Sequence, residues 1–281
     1  MTIQRLITAA ARTAQVVDTI SRRFARELAT VLQDVERQLA PLLADAAVGS
    51  ATAIVKAARA NRTRKAIQQA LVEAGYPDLV DTATQTPMDD VAAAVLAARK
   101  VAGLDAVISD SIRTRLEALQ ALYAQDLLEQ GDVVSRALWQ ATVRGVFSAR
   151  PTTRIVEDLQ EVLDASAPAI RTLYDTSLSI YGRQVEALQA GNNPTATFAF
   201  MGPADQKNRP FCRDHVGKVY TRARIDEMDN GQTPGKPVFL LGGGWNCRHT
   251  WMEISKFSEL QALVNTGERI PELQGAVAEA A

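Results

Sequence analysis

The N-terminal residues repeat small and apolar side chains at the spacing of a long amphipathic helix. These residues recur in steps of four and three over almost five heptads: Ile3, Ile7, Ala10, Ala14, Val17, Ser21, Phe24, Leu28, Val31 and Val35. Pro41 and Gly49 close the segment, and at 1.5 Å per residue the rod would be roughly 60 Å long. Because one helix cannot bury such a seam alone, it has to pack on other helices of the chain or on another subunit. Val17, Phe24 and Leu28 are the candidate partner contacts.

Later segments also have helical spacing, and residues that start or stop helices mark their ends. Gly75 tolerates the left-handed conformation that often follows a helix, and Thr86-Pro87 is typical of a helix start. We expect helices over residues 50–74, 86–102, 109–131, 132–147, 151–163 and 166–190. In this scheme Gly131 divides two helices, Pro168 starts the last one, and the Gly-Asn-Asn-Pro stretch at 191–194 ends it.

The last third of the chain has a different composition. More than half of the aromatic residues lie after residue 190, and half of the 16 glycines lie between Gly191 and Gly244. Alternating patterns predict short strands over residues 195–201, 218–221, 237–241 and 248–254, followed by a helix from Ser258. The expected fold class is mainly α with a C-terminal α+β domain, combining long N-terminal helices with a small turn-rich sheet in the C-terminal third. We expect an elongated helical domain over 1–165, a motif-bearing domain over 166–257 and a C-terminal tail over 258–281.

Both cysteines and both histidines of the chain lie in one short window. They are Cys212, His215, Cys247 and His249. Tetrahedral zinc takes four nitrogen or sulfur ligands, and two cysteines with two histidines are a standard structural set. If Cys247 and His249 lie on a strand, their spacing of two places both on the same face. The four residues are therefore candidate ligands of a structural zinc ion.

Two other states fit the same four residues. Cysteines also pack in cores as small apolar side chains, beside histidines that are satisfied by hydrogen bonds. A Cys212–Cys247 disulfide is the third state, which a reducing compartment disfavours and a virion permits. The residues alone leave zinc, a packed core and a disulfide open.

The residues around this window form a set that recurs in one protein family. The strings are Asp-x₃-Arg-Pro-Phe-Cys at 205–212, Gly-Lys-x-Tyr at 217–220 and Gly-Gly-Trp-Asn-Cys-Arg-His at 243–249, preceded by Arg-x₃-Asp-Thr at 171–176. Together they resemble the C-terminal domain of the phage Mu F-like head morphogenesis family, over about residues 165–255. Many members end the last string in Cys-Arg-Cys, where this chain has His249.

The resemblance implies a minor capsid protein of a tailed bacteriophage that acts in head morphogenesis. Its partners would be the portal protein, the major capsid protein or both, in several copies within a symmetric assembly, and a contact with DNA is compatible with that place. It would be found in the virion at the capsid or portal vertex, and in the host cytoplasm during assembly. Asp205, Arg209, Asn246 and Arg248 would fix the motif loop rather than take part in catalysis.

The charge pattern favours protein contacts over DNA binding by bulk charge. The formal net charge is −1, whereas proteins that hold phosphates by bulk charge are strongly basic. A basic stretch that includes Arg59 and Arg62 is a candidate contact for a partner or DNA, and a solvated helix face is the plainer interpretation. No uncharged apolar run approaches the ~20 residues of a membrane span, and the N-terminal residues do not resemble a signal peptide.

Catalysis has less support in the sequence than a structural role. The chain has no Gly-rich phosphate loop ending in Lys-Ser or Lys-Thr. The pairs Asp214-His215 and Arg248-His249 would suit a nuclease in which a metal ion activates water. We therefore expect a structural protein that is not an enzyme, with a metal-dependent nuclease or a DNA-binding internal head protein as the alternatives.

Overall fold

The structure, a computed structural model, describes residues 2–46, 53–148 and 150–273. Over these residues the chain forms long helices followed by short helices and strands. The helices are α1 (Ile3–Ala46), α2 (Ala53–Glu73), α3 (Tyr76–Thr84), α4 (Thr86–Val101), α5 (Asp110–Phe147), α6 (Thr152–Ala190), α7 (Pro210–His215), α8 (Arg222–Asp226), α9 (Val238–Leu241) and α10 (Ser258–Gln261). The strands are β1 (Thr197–Met201), β2 (Val219–Thr221) and β3 (Thr250–Glu253). None of the helices in these residues is long and apolar enough to cross a membrane.

The predicted fold class is confirmed. Long helices make up the N-terminal part, and the C-terminal third holds one antiparallel sheet in the order β2-β1-β3. Phe198 of β1 pairs with Tyr220 of β2, and Phe200 pairs with Trp251 of β3. The long first helix and the strands around residues 197–201, 219–221 and 250–253 lie where the sequence predicts them.

Helices α5 and α6 are continuous where the sequence predicts breaks. Gly131 lies inside α5, and Pro168 lies inside α6. A proline in a helix removes one backbone hydrogen bond, but Leu163 and Ile170 are buried on either side of it. Tertiary packing therefore outweighs the local cost, because helix stability in proteins comes mainly from burying an apolar face.

The predicted strand over 237–241 is wrong, and the short helix α9 replaces it. The backbone N–H groups of Leu240 and Leu241 both donate to the Pro237 carbonyl oxygen, which closes one helical turn. Phe239 lies on this turn, where it is fully buried and packs edge-on against the Phe198 ring. A short apolar run has no periodicity that separates a strand from a turn of helix. Helix α3 is a further element that the sequence pattern did not reveal.

The residues pack into two compact units, and neither unit is one continuous segment. Unit 1 contains Met1–Ile20, Thr86–Gln120 and Leu173–Ala281, and unit 2 contains Ser21–Gln85 and Ala121–Thr172. Each of α1, α5 and α6 contributes residues to both. The predicted domains 1–165, 166–257 and 258–281 are consecutive segments, so they stay a prediction rather than a description of this packing.

The sheet of unit 1 is covered on both faces. Side chains alternate along β1, so Phe198 and Phe200 enter one apolar cluster while Ala199 and Met201 enter the other. The first cluster includes the aromatic residues of β2, β3 and α9, and the second includes the start of α1 and the end of α4. Every residue of β1 is buried as a result.

The residues after 257 are part of this core up to the end of the described chain. Leu260 and Ile270 are 1% and 0% exposed and belong to the second apolar cluster. The Ile270 backbone N–H donates to the Gly217 carbonyl oxygen at 2.8 Å. The expected tail over 258–281 is therefore packed as far as residue 273, and residues 274–281 lie outside the described residues.

The heptad seam of α1 is buried within the chain along much of its length. Phe24 and Leu28 are 2% and 1% exposed, so the chain's own core covers them and they offer no surface to a partner. Val17 is half-buried, and its contact with a partner stays a prediction. Pro41 does not end the helix, which continues to Ala46.

We expect Gly131→Ala to destabilise the protein, although glycine-to-alanine changes in open helices stabilise by up to about 1 kcal/mol. A Cβ at Gly131 would lie 2.6 Å from the Tyr76 ring. That ring cannot move aside freely, because its hydroxyl donates to the Leu127 carbonyl oxygen at 2.6 Å and the residue is 3% exposed. Urea unfolding should show a loss of about 1–3 kcal/mol.

The control for this change is a double-mutant cycle with Tyr76→Ala. In that background the ring is absent, so adding Gly131→Ala should cost nothing further or stabilise. An equal loss in both backgrounds would contradict the role assigned to the Tyr76 contact.

Candidate metal centre

Three side chains with metal-ligating atoms meet in unit 1. Cys212 lies in α7, and Cys247 and His249 lie on the segment that leads into β3. The sulfur atoms of Cys212 and Cys247 are 3.7 Å apart and not bonded, and Cys247 Sγ is 3.9 Å from His249 Nδ1. All the ligand atoms lie within 4.8 Å of one another, and each residue is 3% exposed. This Cys/His cluster is buried and able to hold a metal ion.

The hydrogen bond of His249 occupies Nε2 and leaves Nδ1, the ring nitrogen on the side of the cysteines, available to a metal. His249 Nε2 lies 3.0 Å from the Pro203 carbonyl oxygen, and because a carbonyl can only accept, Nε2 carries the proton. Nδ1 then has a free lone pair, and it faces Cys247 Sγ. A histidine ligand held in one tautomer by a carbonyl is the common arrangement in metal sites.

Glycine backbone encloses the Cys/His cluster. A Cβ at Gly202 would lie 2.6 Å from the His249 ring, and one at Gly242 would lie 2.8 Å from Cys247 Sγ. A Cβ at Gly243 would overlap Cys212 Sγ, and the Gly243 N–H donates to Cys247 Sγ at 3.1 Å. The main chain therefore approaches the ligand atoms too closely for any larger residue.

Arg183 of α6 holds the segment that carries two of the three ligands. The side chain is fully buried, and its guanidinium donates to the carbonyl oxygens of His249 at 3.0 Å, Cys247 at 2.8 Å and Leu240. Leu240 is in α9, so one guanidinium joins α6, α9 and the start of β3. Its positive charge lies beside the two thiols.

The two thiols titrate as a pair with opposite shifts. The Cys212 thiol donates towards Cys247, and this hydrogen bond together with burial raises the pKa of Cys212. The same hydrogen bond lowers the pKa of Cys247, and the Arg183 charge acts in the same direction. Cys247 is therefore the thiol that ionises first, as a metal ligand requires.

His215 does not belong to the cluster, so the predicted set of four ligands is incomplete. Its Nδ1 lies 2.7 Å from the Tyr220 hydroxyl, and its ring packs 4.2 Å from the Phe211 ring. Burial, and after it the charge of Lys218, lowers the pKa of His215 to about 4. Cys212 and His215 both lie on α7, but Cys212 reaches the cluster while His215 reaches β2.

The other motif residues form a frame around the cluster. The Arg248 guanidinium binds both carboxylate oxygens of Asp205, at 2.6 and 2.7 Å, and this hydrogen bonding lowers the pKa of Asp205. Arg209 donates to the carbonyl oxygen of Trp245. The backbone of Asn246 has a φ of 55° and its N–H donates to the Thr176 hydroxyl at 3.0 Å.

Two features that position the Cys/His cluster are not predicted by the sequence pattern. Arg183 follows the apolar positions Leu178 and Tyr181 along the buried face of α6, and a charge on such a face was the available signal. The family string contains Gly243 and Gly244, but nothing in the sequence indicates that the backbone of Gly242 and Gly243 approaches the two sulfur atoms.

We expect Arg183→Met to destabilise unit 1 by about 3–5 kcal/mol, because it removes a buried charge with its hydrogen bonds and leaves carbonyl oxygens unsatisfied. Urea unfolding measures the loss. Arg224→Met is the control, since Arg224 is exposed and paired only with Glu227 at the surface, and it should cost less than about 1 kcal/mol. Similar losses in both variants would contradict the role given to Arg183.

The chain matches no known protein family, no curated protein and no solved structure. A functional conclusion therefore rests on the geometry of the Cys/His cluster and on the motif resemblance.

Proposed function

We propose that the chain is a structural protein of tailed-phage head morphogenesis that docks at the portal or the inner capsid during assembly. The observation that carries this proposal is that the residues behind the family resemblance serve one framework. Asp205 and Arg248 pair across 43 positions of sequence, Arg209 binds the turn at Trp245, and Cys212 meets Cys247. Such a framework supports a rigid module for docking.

The same geometry argues against a metal-dependent nuclease. A nuclease needs a metal-bound water that can reach a phosphodiester, but Cys212, Cys247 and His249 are each 3% exposed. The charged side chains nearby are also engaged: Arg183 and Arg209 bind backbone carbonyls, and Arg248 binds a carboxylate. Residues held in this way stabilise a fold rather than a transition state.

The DNA-binding alternative depends on the basic stretch of α2. Arg62 is exposed there, and Arg64 lies over the Trp139 ring at 5.5 Å in a cation–π contact within unit 2. The side chain of Arg59 lies outside the described residues. With a net charge of −1 for the chain, protein contacts are favoured over DNA for this surface.

We further propose that the ion held by the Cys/His cluster is zinc and that its role is structural. Zinc bonds sulfur at about 2.3 Å, so tetrahedral geometry places two sulfur ligands about 3.8 Å apart. The sulfur atoms of Cys212 and Cys247 are 3.7 Å apart. Two thiolates and a neutral imidazole suit this ion in ligand type, and one coordination position is left beyond these three residues. Bound zinc would supply folding free energy, on the order of 10 kcal/mol in small zinc modules.

The metal set is tested by replacing each histidine in turn. We expect His249→Ala to lose stoichiometric zinc, measured by elemental analysis of the purified protein, and to lower the thermal midpoint of unfolding. His215→Ala is the matched control and should retain zinc, because His215 bonds to Tyr220 instead.

Three results would contradict this assignment. Zinc lost from His215→Ala as readily as from His249→Ala would restore the four-residue set that the sequence predicts. Freely titrating thiols in a metal-free, fully stable wild-type protein would favour the packed core. Mass loss of two hydrogens in the wild-type protein, reversed by reductant, would favour the Cys212–Cys247 disulfide.

Particle composition tests the proposed function. In the phage or prophage that encodes this chain, we expect the protein in purified procapsids, co-purifying with the portal at a fixed copy number. Val17→Asp should reduce that incorporation, because Val17 is the one of the three candidate partner contacts that is only half-buried. Thr19→Asp adds the same charge on the exposed face of α1 and should be incorporated normally.

Absence of the protein from both procapsids and mature heads that contain portal would overturn the head morphogenesis role. Retention on DNA that weakens with salt and is lost when the basic residues of 56–65 are neutralised would favour the internal DNA-binding protein. Cleavage of DNA by the zinc-loaded protein, lost in His249→Ala, would favour the nuclease.

A further inference from the structure

A second cluster of ionisable side chains is buried in unit 1, away from the cysteines. It joins Arg99 of α4, Glu186 of α6 and Glu253 of β3, whose side chains are 4%, 4% and 11% exposed. Arg99 Nη1 lies 2.8 Å from Glu186 Oε1 and 3.0 Å from Glu253 Oε2. Two carboxylates therefore share one nitrogen of one guanidinium.

The charges of this cluster do not balance. When both glutamates are ionised, one cation faces two anions, and a buried net negative charge is costly. The groups that face Glu186 are Arg99 from α4, Glu253 from β3 and the neutral Thr13 from α1. On its own helix, Arg183 directs its guanidinium to carbonyl oxygens elsewhere. No further cation among these groups compensates the second carboxylate.

The hydrogen bonds of the cluster leave a place for one proton. Glu186 Oε1 accepts from Arg99 and from the Glu253 backbone N–H at 3.0 Å. Glu253 Oε1 accepts from the Ser255 hydroxyl at 3.0 Å, while the buried Glu253 Oε2 has the Arg99 ion pair but no aligned hydrogen-bond donor. Hydrogen bonds therefore do not offset the second negative charge at this oxygen, and a proton on Glu186 would reduce the net charge of the cluster to zero.

The titration behaviour agrees with this geometry. Burial raises the pKa of Glu186 to about 7, against the opposing effect of the Arg99 charge. A cavity of about 10 Å³ also borders Thr13, Arg99, Glu186 and Glu253, which is about the space of one water molecule. The cavity itself therefore has room for little water beside the two carboxylates.

We propose that the Arg99–Glu186–Glu253 cluster is a proton-binding site that holds one proton on Glu186 near neutral pH and so fastens α4 and α6 to β3. This site is independent of the Cys/His cluster and of the proposed role in head assembly. Loss of the proton leaves two carboxylates on one guanidinium and weakens the joint between the three elements.

The direction of the pH effect follows from the raised pKa of Glu186. A carboxyl whose pKa is higher in the folded than in the unfolded state stabilises the fold at low pH. That contribution is complete below about 4.5 and is lost as the pH rises through about 7. The cluster should therefore make the protein less stable at mildly alkaline than at mildly acidic pH.

The test compares the thermal midpoints of unfolding of wild type and Glu186→Gln at acidic and at mildly alkaline pH. Glutamine keeps the acceptor oxygen but mimics the protonated state at every pH. We expect similar midpoints at about pH 4.5 and a higher midpoint for the variant at about pH 8.5, by about 4 °C or more. Because the two proteins share all their other titratable groups, the difference between their midpoints at each pH removes the effect of those groups. Glu227→Gln, an exposed carboxylate, should show no such growing difference.

A difference between wild type and Glu186→Gln that stays constant with pH would overturn the proposal, as would a variant that is less stable at both pH values. Those outcomes would mean that Glu186 holds no proton over this pH range. If Glu186→Gln fails to fold, Glu253→Gln offers the same charge balance. In folded wild type, infrared difference spectra between the two pH values should show the loss of one protonated carboxyl band, and its absence would also overturn the proposal.

Discussion

The guanidinium of Arg183 reaches from α6 into the segment that carries Cys247 and His249, and it donates to three backbone carbonyl oxygens there. Those carbonyls flank a turn rich in glycine, whose backbone has little side-chain packing of its own. One buried cation thus sets where the turn lies, and the turn sets where Cys247 and His249 lie. Arg183 also acts through its positive charge, which lowers the pKa of the Cys247 thiol.

The sheet provides the other half of the support. Its central strand β1 is buried on both faces, so it cannot shift in register without moving Phe198 and Phe200 from one apolar cluster to the other. Because Phe200 stacks on the His249 ring at 5.0 Å, the register of the sheet and the geometry of the Cys/His cluster depend on each other. The Arg99–Glu186–Glu253 cluster ties the outer strand β3 to α4 and α6.

The periodic parts of the sequence predicted well because their signal is local. The seam of α1 and the helix from Thr86 show their apolar spacing over several turns, and β1 alternates between Phe and small residues. The wrong helix boundaries were predicted at single residues that usually end or start helices. Gly131 and Pro168 carry real local costs in a helix, but tertiary packing offsets both. At 237–241 the run was too short to contain a period.

By itself, the sequence determined the helical character of the chain, the strand-forming window near its end and the residue types that could hold a metal ion. It could not determine which of the four Cys and His residues meet, because that depends on how a short helix is rotated against a turn some thirty residues away. Nor could it pair Arg183 with carbonyls at 240–249, or Arg99 with Glu186 and Glu253. Those partners are distant in sequence and come together only when the sheet and helices pack, and burial then makes their charges matter.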